Sequence, residues 1–257
     1  MPLIERGGAR IHYEVHGDPT HRPPLLLSHG FSASGRMWDR NVGALSGDRA
    51  VLTWDMRGHA RSGSPNDPCA YGVEQSVEDM RLLLDVLDVP RAVLGGMSLG
   101  GYLSLAFQMR HAERVAALIL IDTGPGFRSE EPREQWNALT ERRAAALERD
   151  GLAALPASPE VGEHRSAIGL GHTARFVMTQ RDGQVIDSLE GIAVPTLVIV
   201  GALDTNFLSA ADYMAAKIPG AKKAVIPNAG HAANIDQPQA FNAAILGFLA
   251  DLKLETA

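Results

Sequence analysis

Cysteine is nearly absent from this sequence of 257 residues: Cys69 stands alone, so no disulfide can form within the chain. No Cys/His cluster has zinc-binding spacing, so we predict no metal site. No stretch approaches the roughly 18 consecutive apolar residues of a transmembrane helix. The N-terminal MPLIERGGARIHYEV also lacks the apolar core of a signal peptide. We therefore expect a soluble, cytoplasmic protein with no membrane partner.

The chain also has fewer positively charged than negatively charged residues. The chain has 24 Lys and Arg against 30 Asp and Glu, a formal net charge of −6. Nucleic-acid binding usually requires a basic face, so this balance argues against that function. Hydrophobic residues make up 45% of the chain, enough for a large core, so disorder is not expected.

Short apolar runs recur along the chain and alternate with longer amphipathic stretches. Runs that are apolar on both faces suit strands buried inside a parallel sheet. The alternation therefore predicts an α/β fold with a parallel sheet and helices on both faces. The predicted strands are 11–15, 24–28, 50–55, 93–95, 117–122, 196–201 and 223–226. The predicted helices are 73–87, 99–110, 207–218 and 238–252.

One region, from residue 123 to about residue 194, contains no clear strand and is interrupted by four prolines. Its sequence predicts helices at 134–149 and 163–180. We interpret the region as a helical insertion that acts as a lid, because long insertions in compact domains are often functional. The alternative is a surface excursion that only covers the sheet.

Ser98 lies in the pattern Gly-x-Ser-x-Gly, between an apolar run and a helical pattern. This context is typical of a strand-to-helix turn that exposes a nucleophilic serine, with Gly96 and Gly100 allowing the chain to pass close to itself. The alternative is a glycine-rich turn that binds phosphate. The chain has neither a G-x-G-x-x-G nor a GK[ST] pattern, so neither nucleotide motif fits.

An acyl-transfer site needs two backbone N–H groups to bind the oxyanion. Leu99 follows the predicted nucleophile and can supply one of them. Phe31, in the loop that follows the strand at 24–28, is placed to supply the other.

The general base is predicted to be His231, in a glycine-containing loop after the last apolar run. His59 and His29 are its rivals, although the arginines that flank His59 favour a role in stabilising its loop. His164 and His172 fall in the inserted region, where they are candidates for contact with substrate.

The carboxylate that orients the base should follow a strand and precede the histidine. Asp204 fits this position, and Asp122, at the end of the preceding strand, is the alternative. The chain order of Ser98, Asp204 and His231 is the one found in α/β-hydrolases.

These motifs, with Gly230-His231 and the segment 55–62 (DMRGHARS), make the sequence resemble the α/β-hydrolase superfamily over nearly its whole length. It is most similar to small bacterial 3-oxoadipate enol-lactonases, carboxylesterases and meta-cleavage-product hydrolases. The resemblance implies a mostly parallel eight-stranded sheet with a helical cap inserted after the sixth strand. The implied domains are a core of residues 1–125 and 190–257 and an inserted segment of residues 126–189. A serine nucleophile argues against the epoxide-hydrolase and haloalkane-dehalogenase branches.

We therefore predict a serine hydrolase that cleaves a carboxylic ester or lactone through an acyl-enzyme and needs no cofactor. Aromatic residues are only 5% of the chain, which favours a small or medium apolar acyl group or lactone ring. The residues predicted to line an apolar substrate pocket are Trp38, Met97, Phe127, Trp136, Phe176 and Phe207, with Met178 a further candidate. The arginines that are candidates for binding a substrate carboxylate are Arg128, Arg142, Arg143, Arg165 and Arg175.

Three other functions remain open at this point. A carbon–carbon bond hydrolase would use the same triad but would need polar pocket groups to protonate a carbon. A cofactor-free perhydrolase would reveal itself by peroxide-dependent halogenation. A small-molecule receptor would bind its ligand with negligible turnover.

Overall fold

The structure, a computed structural model, describes residues 3–18, 22–156 and 163–252. Its centre is an eight-stranded sheet in the order β1-β2-β4-β3-β5-β6-β7-β8. The strands are β1 (Leu3–Arg6), β2 (Ala9–His16), β3 (Leu25–Ser28), β4 (Val51–Trp54), β5 (Ala92–Met97), β6 (Val115–Ile121), β7 (Thr196–Gly201) and β8 (Lys222–Ile226). The pairs β1–β2 and β2–β4 are antiparallel and the other pairs are parallel. The predicted fold class is thereby confirmed.

The first strand, β1, was not predicted from the residues. It is only four residues long and reads LIER, too short for an alternating pattern to stand out. Its place in the sheet comes from pairing with β2, where Leu3 lies opposite His12 and Arg6 opposite Ala9.

Helices cover both faces of the sheet. They are α1 (Asp39–Leu45), α2 (Val73–Val86), α3 (Leu99–Arg110), α4 (Glu130–Asp150), α5 (Ala167–His172), α6 (Gln184–Asp187), α7 (Leu208–Lys217), α8 (Ala233–Asp236) and α9 (Pro238–Asp251). No helix in the described part of the chain combines the length and the apolar composition that crossing a bilayer requires.

The sheet separates two hydrophobic layers. Along β3, Leu25 and Leu27 belong to one buried cluster and Leu26 to the other. This follows from the two-residue period of a strand, which sends successive side chains to opposite faces. Both clusters are continuous across the central strands, so the sheet is a rigid base for the loops at its ends.

The inserted segment supplies α4, α5 and α6, all between β6 and β7. The helix predicted at 134–149 lies within α4. The helix predicted at 163–180 begins only at Ala167, because the Ser166 hydroxyl caps it by accepting a hydrogen bond from the amide of Gly169 at 3.1 Å. It continues as a π-helix over Thr173–Val177. Residues 126 and 189 as domain limits, and the lid role, stay predictions.

Parallel strands direct their carboxyl ends to the same edge of the sheet. The loops after β3, β5, β7 and β8 therefore meet there. They carry Phe31, Ser98, Asp204 and His231. We call the residues of these four loops the carboxyl edge.

Candidate active site

Ser98 lies between the end of β5 and the first residue of α3, with φ of 52° and ψ of −114°. A non-glycine residue in this region of backbone space is strained and persists only when its surroundings impose it. Two hydrogen bonds do so: the Ser98 amide donates to the Ile121 carbonyl at 2.9 Å, and the Thr123 hydroxyl donates to the Ser98 carbonyl at 2.6 Å. The turn is therefore built as a sharp elbow that lifts the serine side chain off the sheet.

Two glycines make this elbow possible. A Cβ on Gly96 would lie 2.2 Å from the carbonyl carbon of Gly100, and one on Gly100 would lie 2.3 Å from the carbonyl oxygen of Ser28. Both contacts are with backbone, which cannot swing aside. The start of α3 can thus approach β3 and β5 only because these positions have no side chain.

His231 and Asp204 form a hydrogen-bonded pair, with 2.7 Å between His231 Nδ1 and Asp204 Oδ2. The Asp204 side chain is 3% exposed and that of His231 is 44% exposed, so the carboxylate is shielded while the imidazole reaches the surface of the site. Phe207 stacks on the imidazole at a ring separation of 4.9 Å. A proton on Nδ1, donated to the carboxylate, leaves Nε2 free to accept one.

Asp122, the alternative acid, is placed elsewhere. Its carboxylate accepts hydrogen bonds from the backbone amides of Gly201 at 2.7 Å and Ala233 at 3.2 Å. It is fully buried. Burial raises the pKa of the Asp122 carboxyl to about 7, and the two hydrogen bonds offset this only in part. Asp122 thus ties the end of β7 to the first residue of α8, two residues after His231.

His29, one of the two rival bases, is bound to backbone at both ring nitrogens. Nδ1 lies 2.7 Å from the Gly30 carbonyl, and Nε2 accepts from the Met56 amide at 2.9 Å. This arrangement requires a neutral ring. Burial lowers the pKa of His29 to about 4, in agreement with the neutral form.

His59 and His164 are held in the same way on either side of Ser32. His59 Nδ1 lies 3.2 Å from the Arg57 carbonyl, and its Nε2 accepts from the Ser32 amide at 3.3 Å. His164 accepts from the Ala60 amide at 3.1 Å, and its Nε2 lies 3.0 Å from the Ser32 carbonyl. Burial lowers the pKa of His59 well below its usual value. Both side chains hold the loop of Phe31 rather than a substrate.

The predicted oxyanion donors lie beside the serine. Leu99 is the first residue of α3, so its amide has no partner within the helix. Phe31 is the second residue of a turn closed by the hydrogen bond from the Ala33 amide to the Gly30 carbonyl at 3.2 Å, which does not use the Phe31 amide. Both residues line the same cavity as Ser98 and His231. Their role as oxyanion donors stays a prediction.

This cavity has a volume of about 1150 Å³ and lies between the carboxyl edge and the inserted segment. Four of the six residues predicted above to line the pocket do line it, as does Met178. The four are Met97, Phe127, Trp136 and Phe207. Trp136 is fixed by a hydrogen bond from its indole nitrogen to the Met178 carbonyl at 2.8 Å.

The expectation that Trp38 and Phe176 line the pocket is wrong. Trp38 is fully buried in the core and stacks on Phe241 at a ring separation of 6.3 Å. Phe176 packs against the core and against His172, 5.8 Å away. His172 itself lies 3.2 Å from the Asn66 carbonyl. An apolar aromatic is as well suited to a core as to a pocket, and the sequence does not distinguish them.

The sequence analysis did not predict several polar residues that line the cavity. Tyr102 lies four residues after Ser98 on α3, and Asn206, Ser209 and Tyr213 lie two, five and nine residues after Asp204. Helical periodicity counted from Ser98 would have found Tyr102, because residues four apart share one helix face. A count from Asp204 does not give the other three, since α7 begins only at Leu208. Burial raises the pKa of Tyr102 to about 12, so its phenol stays protonated.

Two of the candidate arginines are already paired on the surface. Arg128 binds Asp187 at 2.7 Å, and Arg175 binds Glu141 at 2.7 Å and also Glu148. Neither lines the cavity, and neither does Arg165; Arg142 and Arg143 do. No group of three His, Cys, Asp or Glu side chains that could hold a metal ion occurs within residues 3–18, 22–156 and 163–252.

Known proteins share this architecture. A family model described as "Alpha/beta hydrolase family" matches residues 25–244. A hydrolase from Pseudomonas aeruginosa superposes with a TM-score of 0.82 at 32% identity, covering 96% of this chain and 97% of its own. The enol-lactonase of Burkholderia xenovorans gives a TM-score of 0.79 at 29% identity, over 97% of this chain and 100% of its own. A Bacillus subtilis protein, provisionally named 2-succinyl-6-hydroxy-2,4-cyclohexadiene-1-carboxylate synthase, is 26% identical over 94% of this chain and 96% of its own. The chain therefore belongs to the alpha/beta hydrolase family, as its motifs predicted.

Proposed function

We propose that the protein hydrolyses a carboxylic ester or lactone through a triad of Ser98, His231 and Asp204. The observation that carries the proposal is the 2.7 Å pair of His231 and Asp204 at the cavity that Ser98 also lines. The strained elbow under Ser98 adds support, since strain of this kind clusters at functional sites. The similarity to an enol-lactonase agrees with ester or lactone chemistry.

In the acylation step, His231 Nε2 takes the Ser98 proton while Oγ attacks the carbonyl carbon. Asp204 holds the proton on Nδ1 and stabilises the imidazolium that forms. The protonated His231 then gives its proton to the leaving alcohol oxygen as the bond from carbon to that oxygen breaks. In a lactone, the leaving alcohol stays attached to the acyl chain.

The Leu99 and Phe31 amides bind the oxyanion that develops on the carbonyl oxygen. The amide at the start of α3 also lies at the positive end of the helix dipole. Losing one such donor costs about 10²–10³-fold in kcat in comparable enzymes.

In the deacylation step, His231 removes a proton from water, and the resulting hydroxide attacks the acyl-enzyme. Ser98 leaves with the proton that His231 returns. The products are a carboxylic acid and an alcohol, so each turnover consumes one water molecule and restores the triad.

Labelling by a fluorophosphonate probe tests the proposal, with hydrolysis of p-nitrophenyl acetate, butyrate and octanoate and of a lactone. Ser98→Ala is expected to lose both labelling and turnover while remaining folded. Ser104→Ala is the matched control, because Ser104 lies on the same helix and donates to the Gly100 carbonyl at 2.9 Å without lining the cavity. Labelling that persists in Ser98→Ala would refute Ser98 as the nucleophile.

The three competing functions can be tested by further assays on the same purified protein. Labelled protein that hydrolyses dienone substrates but no ester would favour a carbon–carbon bond hydrolase, and peroxide-dependent halogenation would favour a perhydrolase. Tight binding without labelling would favour a receptor.

A further inference from the structure

The charged side chains that line the cavity have one sign. Among the described lining residues, Arg142 and Arg143 carry formal charges, and no aspartate or glutamate faces them. The chain as a whole has a net charge of −6, so a locally cationic cavity is not a consequence of composition. A cavity with cationic walls concentrates anions.

These two arginines differ from others in the inserted segment. Arg128 and Arg175 each bind a carboxylate on the same surface. Arg142 and Arg143 make no ion pair and no side-chain hydrogen bond with any residue in 3–18, 22–156 or 163–252. Their donors are therefore available to a ligand.

Arg143 lies at the open side of the cavity. Its side chain is exposed, yet the protein atoms around its guanidinium lower the pKa of that group from the usual value. An anion entering the cavity would supply the missing partner. Ion pairs on an open surface contribute little, so the gain on pairing comes from the shielding of both groups from water once a ligand fills the cavity.

The face of α4 that carries Arg143 is turned toward the cavity. Trp136, Leu139, Arg143 and Leu147 all line the cavity at helical spacings of three, four and four. With a rise of about 1.5 Å per residue, Arg143 lies roughly 10 Å along α4 from Trp136. The arginines thus belong to the wall formed by the inserted segment, and Ser98 belongs to the wall formed by the carboxyl edge.

We propose that the substrate is an ester or lactone whose acyl portion carries a carboxylate remote from the scissile carbonyl, and that Arg142 and Arg143 bind this carboxylate. The inference rests on the proposed function. The planar guanidinium presents paired N–H donors that match the two oxygens of a carboxylate. A carboxylate on the acyl portion is held through both acylation and deacylation, because that portion stays bound to Ser98. Hydrolysis of such an ester consumes one water and yields a dicarboxylate, an alcohol or phenol and a proton. Hydrolysis of such a lactone yields a hydroxy- or oxo-dicarboxylate and a proton, because the alcohol stays on the acyl chain.

The first experiment measures hydrolysis of the mono-p-nitrophenyl esters of succinic, glutaric, adipic and suberic acids, each of which keeps a free carboxylate. Each is compared with the methyl p-nitrophenyl diester of the same acid, in which a methyl ester replaces that carboxylate. In the wild type we expect at least one free acid to exceed its methyl ester in kcat/KM. In Arg142→Met and Arg143→Met the best free acid should lose about 10- to 100-fold, the range for a hydrogen bond to a charged group. The methyl esters should change less than about twofold.

Arg128→Met is the matched control, because it removes a cation from the same segment but not from the cavity. It should leave the preference for the free acid intact. Equal or better turnover of every methyl ester by the wild type would overturn the proposal. So would an unchanged preference in the Arg142→Met/Arg143→Met double variant.

A binding measurement separates this proposal from the proposed function. Calorimetric titration of Ser98→Ala with adipate and with dimethyl adipate needs no turnover. Adipate binding that is lost in the double variant supports the carboxylate site even if labelling shows that Ser98 is not reactive. If labelling and ester turnover are normal but the arginine variants change neither adipate binding nor the preference, the carboxylate site is wrong and the hydrolase stands.

Discussion

The carboxyl edge and the inserted segment are held in place by different kinds of contact. At the edge, backbone atoms meet backbone atoms, as where Gly100 passes Ser28. The inserted segment also makes a close backbone approach, where Gly169 lies against Gly58, but the hydrogen bonds that tie it to the core involve side chains: Glu163, for example, accepts hydrogen bonds from Ser34 at 2.7 Å and Arg36 at 2.8 Å. Contacts between backbones permit little change, whereas side-chain contacts can be exchanged. The proposed chemistry therefore lies in the part of the fold held by backbone contacts, and the proposed substrate-binding wall lies in the part held mainly by exchangeable side-chain hydrogen bonds.

The largest effect should come from the carboxyl edge. In Asp204→Asn, the amide would donate to His231 Nδ1 and force its proton to Nε2, so the base would be lost. We expect kcat to fall about 10⁴-fold, as in comparable triads, with little change in the free energy of unfolding. Steady-state kinetics and urea denaturation measure the two quantities.

Asp122→Asn is the matched control for that substitution. It disturbs the hydrogen bond from the Ala233 amide and should cost about 1–3 kcal/mol of stability, while kcat falls less than about tenfold. If Asp122→Asn remained folded and lost as much kcat as Asp204→Asn, the assignment of the acid would be wrong.

The next largest effect concerns the fit of backbone to backbone. Gly100→Ala places a methyl group 2.3 Å from the Ser28 oxygen and should reduce the free energy of unfolding by about 3 kcal/mol, in line with overpacked sites. Gly247→Ala is the control, because a Cβ there meets no atom within 4 Å on α9. It should stabilise the protein by about 0.5–1 kcal/mol. Equal effects at the two positions, measured by urea denaturation, would contradict this account of the elbow.

A smaller effect is expected where the inserted segment meets the core. His164→Ala leaves the Ala60 amide and the Ser32 carbonyl without their partner and should cost about 2 kcal/mol. Because Ser32 follows Phe31, kcat should fall as well. His172→Ala removes a single polar contact, with the Asn66 carbonyl, and should lower stability and kcat less. If His172→Ala instead lowered stability and kcat more than His164→Ala, His164 would not be the main contact between the inserted segment and the core.

The sequence predicted the carboxyl edge better than the inserted segment, for a physical reason. Ser98, Asp204 and His231 each follow an apolar strand, and a parallel sheet brings such positions together whatever else the chain does. Which side of a helix in the inserted segment faces the cavity depends on how the helix packs, and no local signal reports it. Arg128 and Arg142 look alike in sequence, yet the structure pairs one with Asp187 and places the other at the cavity. Trp38 was misplaced because an apolar aromatic suits a core as well as it suits a pocket.

The last comparison is between two buried groups that titrate in opposite senses. His29, with its pKa lowered to about 4, is neutral in the folded protein at pH values where the unfolded chain, with its pKa near 6.5, is protonated. Asp122, with its pKa raised to about 7, is protonated in the folded protein above pH 3.8, where the unfolded chain is ionised. Between pH 4 and 6.5 the first group makes stability rise with pH and the second makes it fall, each by up to about 1.4 kcal/mol per pH unit.

These two contributions oppose each other, so the slope of stability against pH in the wild type is smaller than His29 alone would give. Asp122→Asn removes the opposing group without removing the histidines, so the slope of the free energy of unfolding against pH should become more positive by about 1.4 kcal/mol per pH unit. Urea denaturation of both proteins at pH 5.0, 5.5 and 6.0 gives the two slopes. Parallel slopes would mean that Asp122 is ionised throughout this range, and that its hydrogen bonds to Gly201 and Ala233 outweigh the cost of burying its charge.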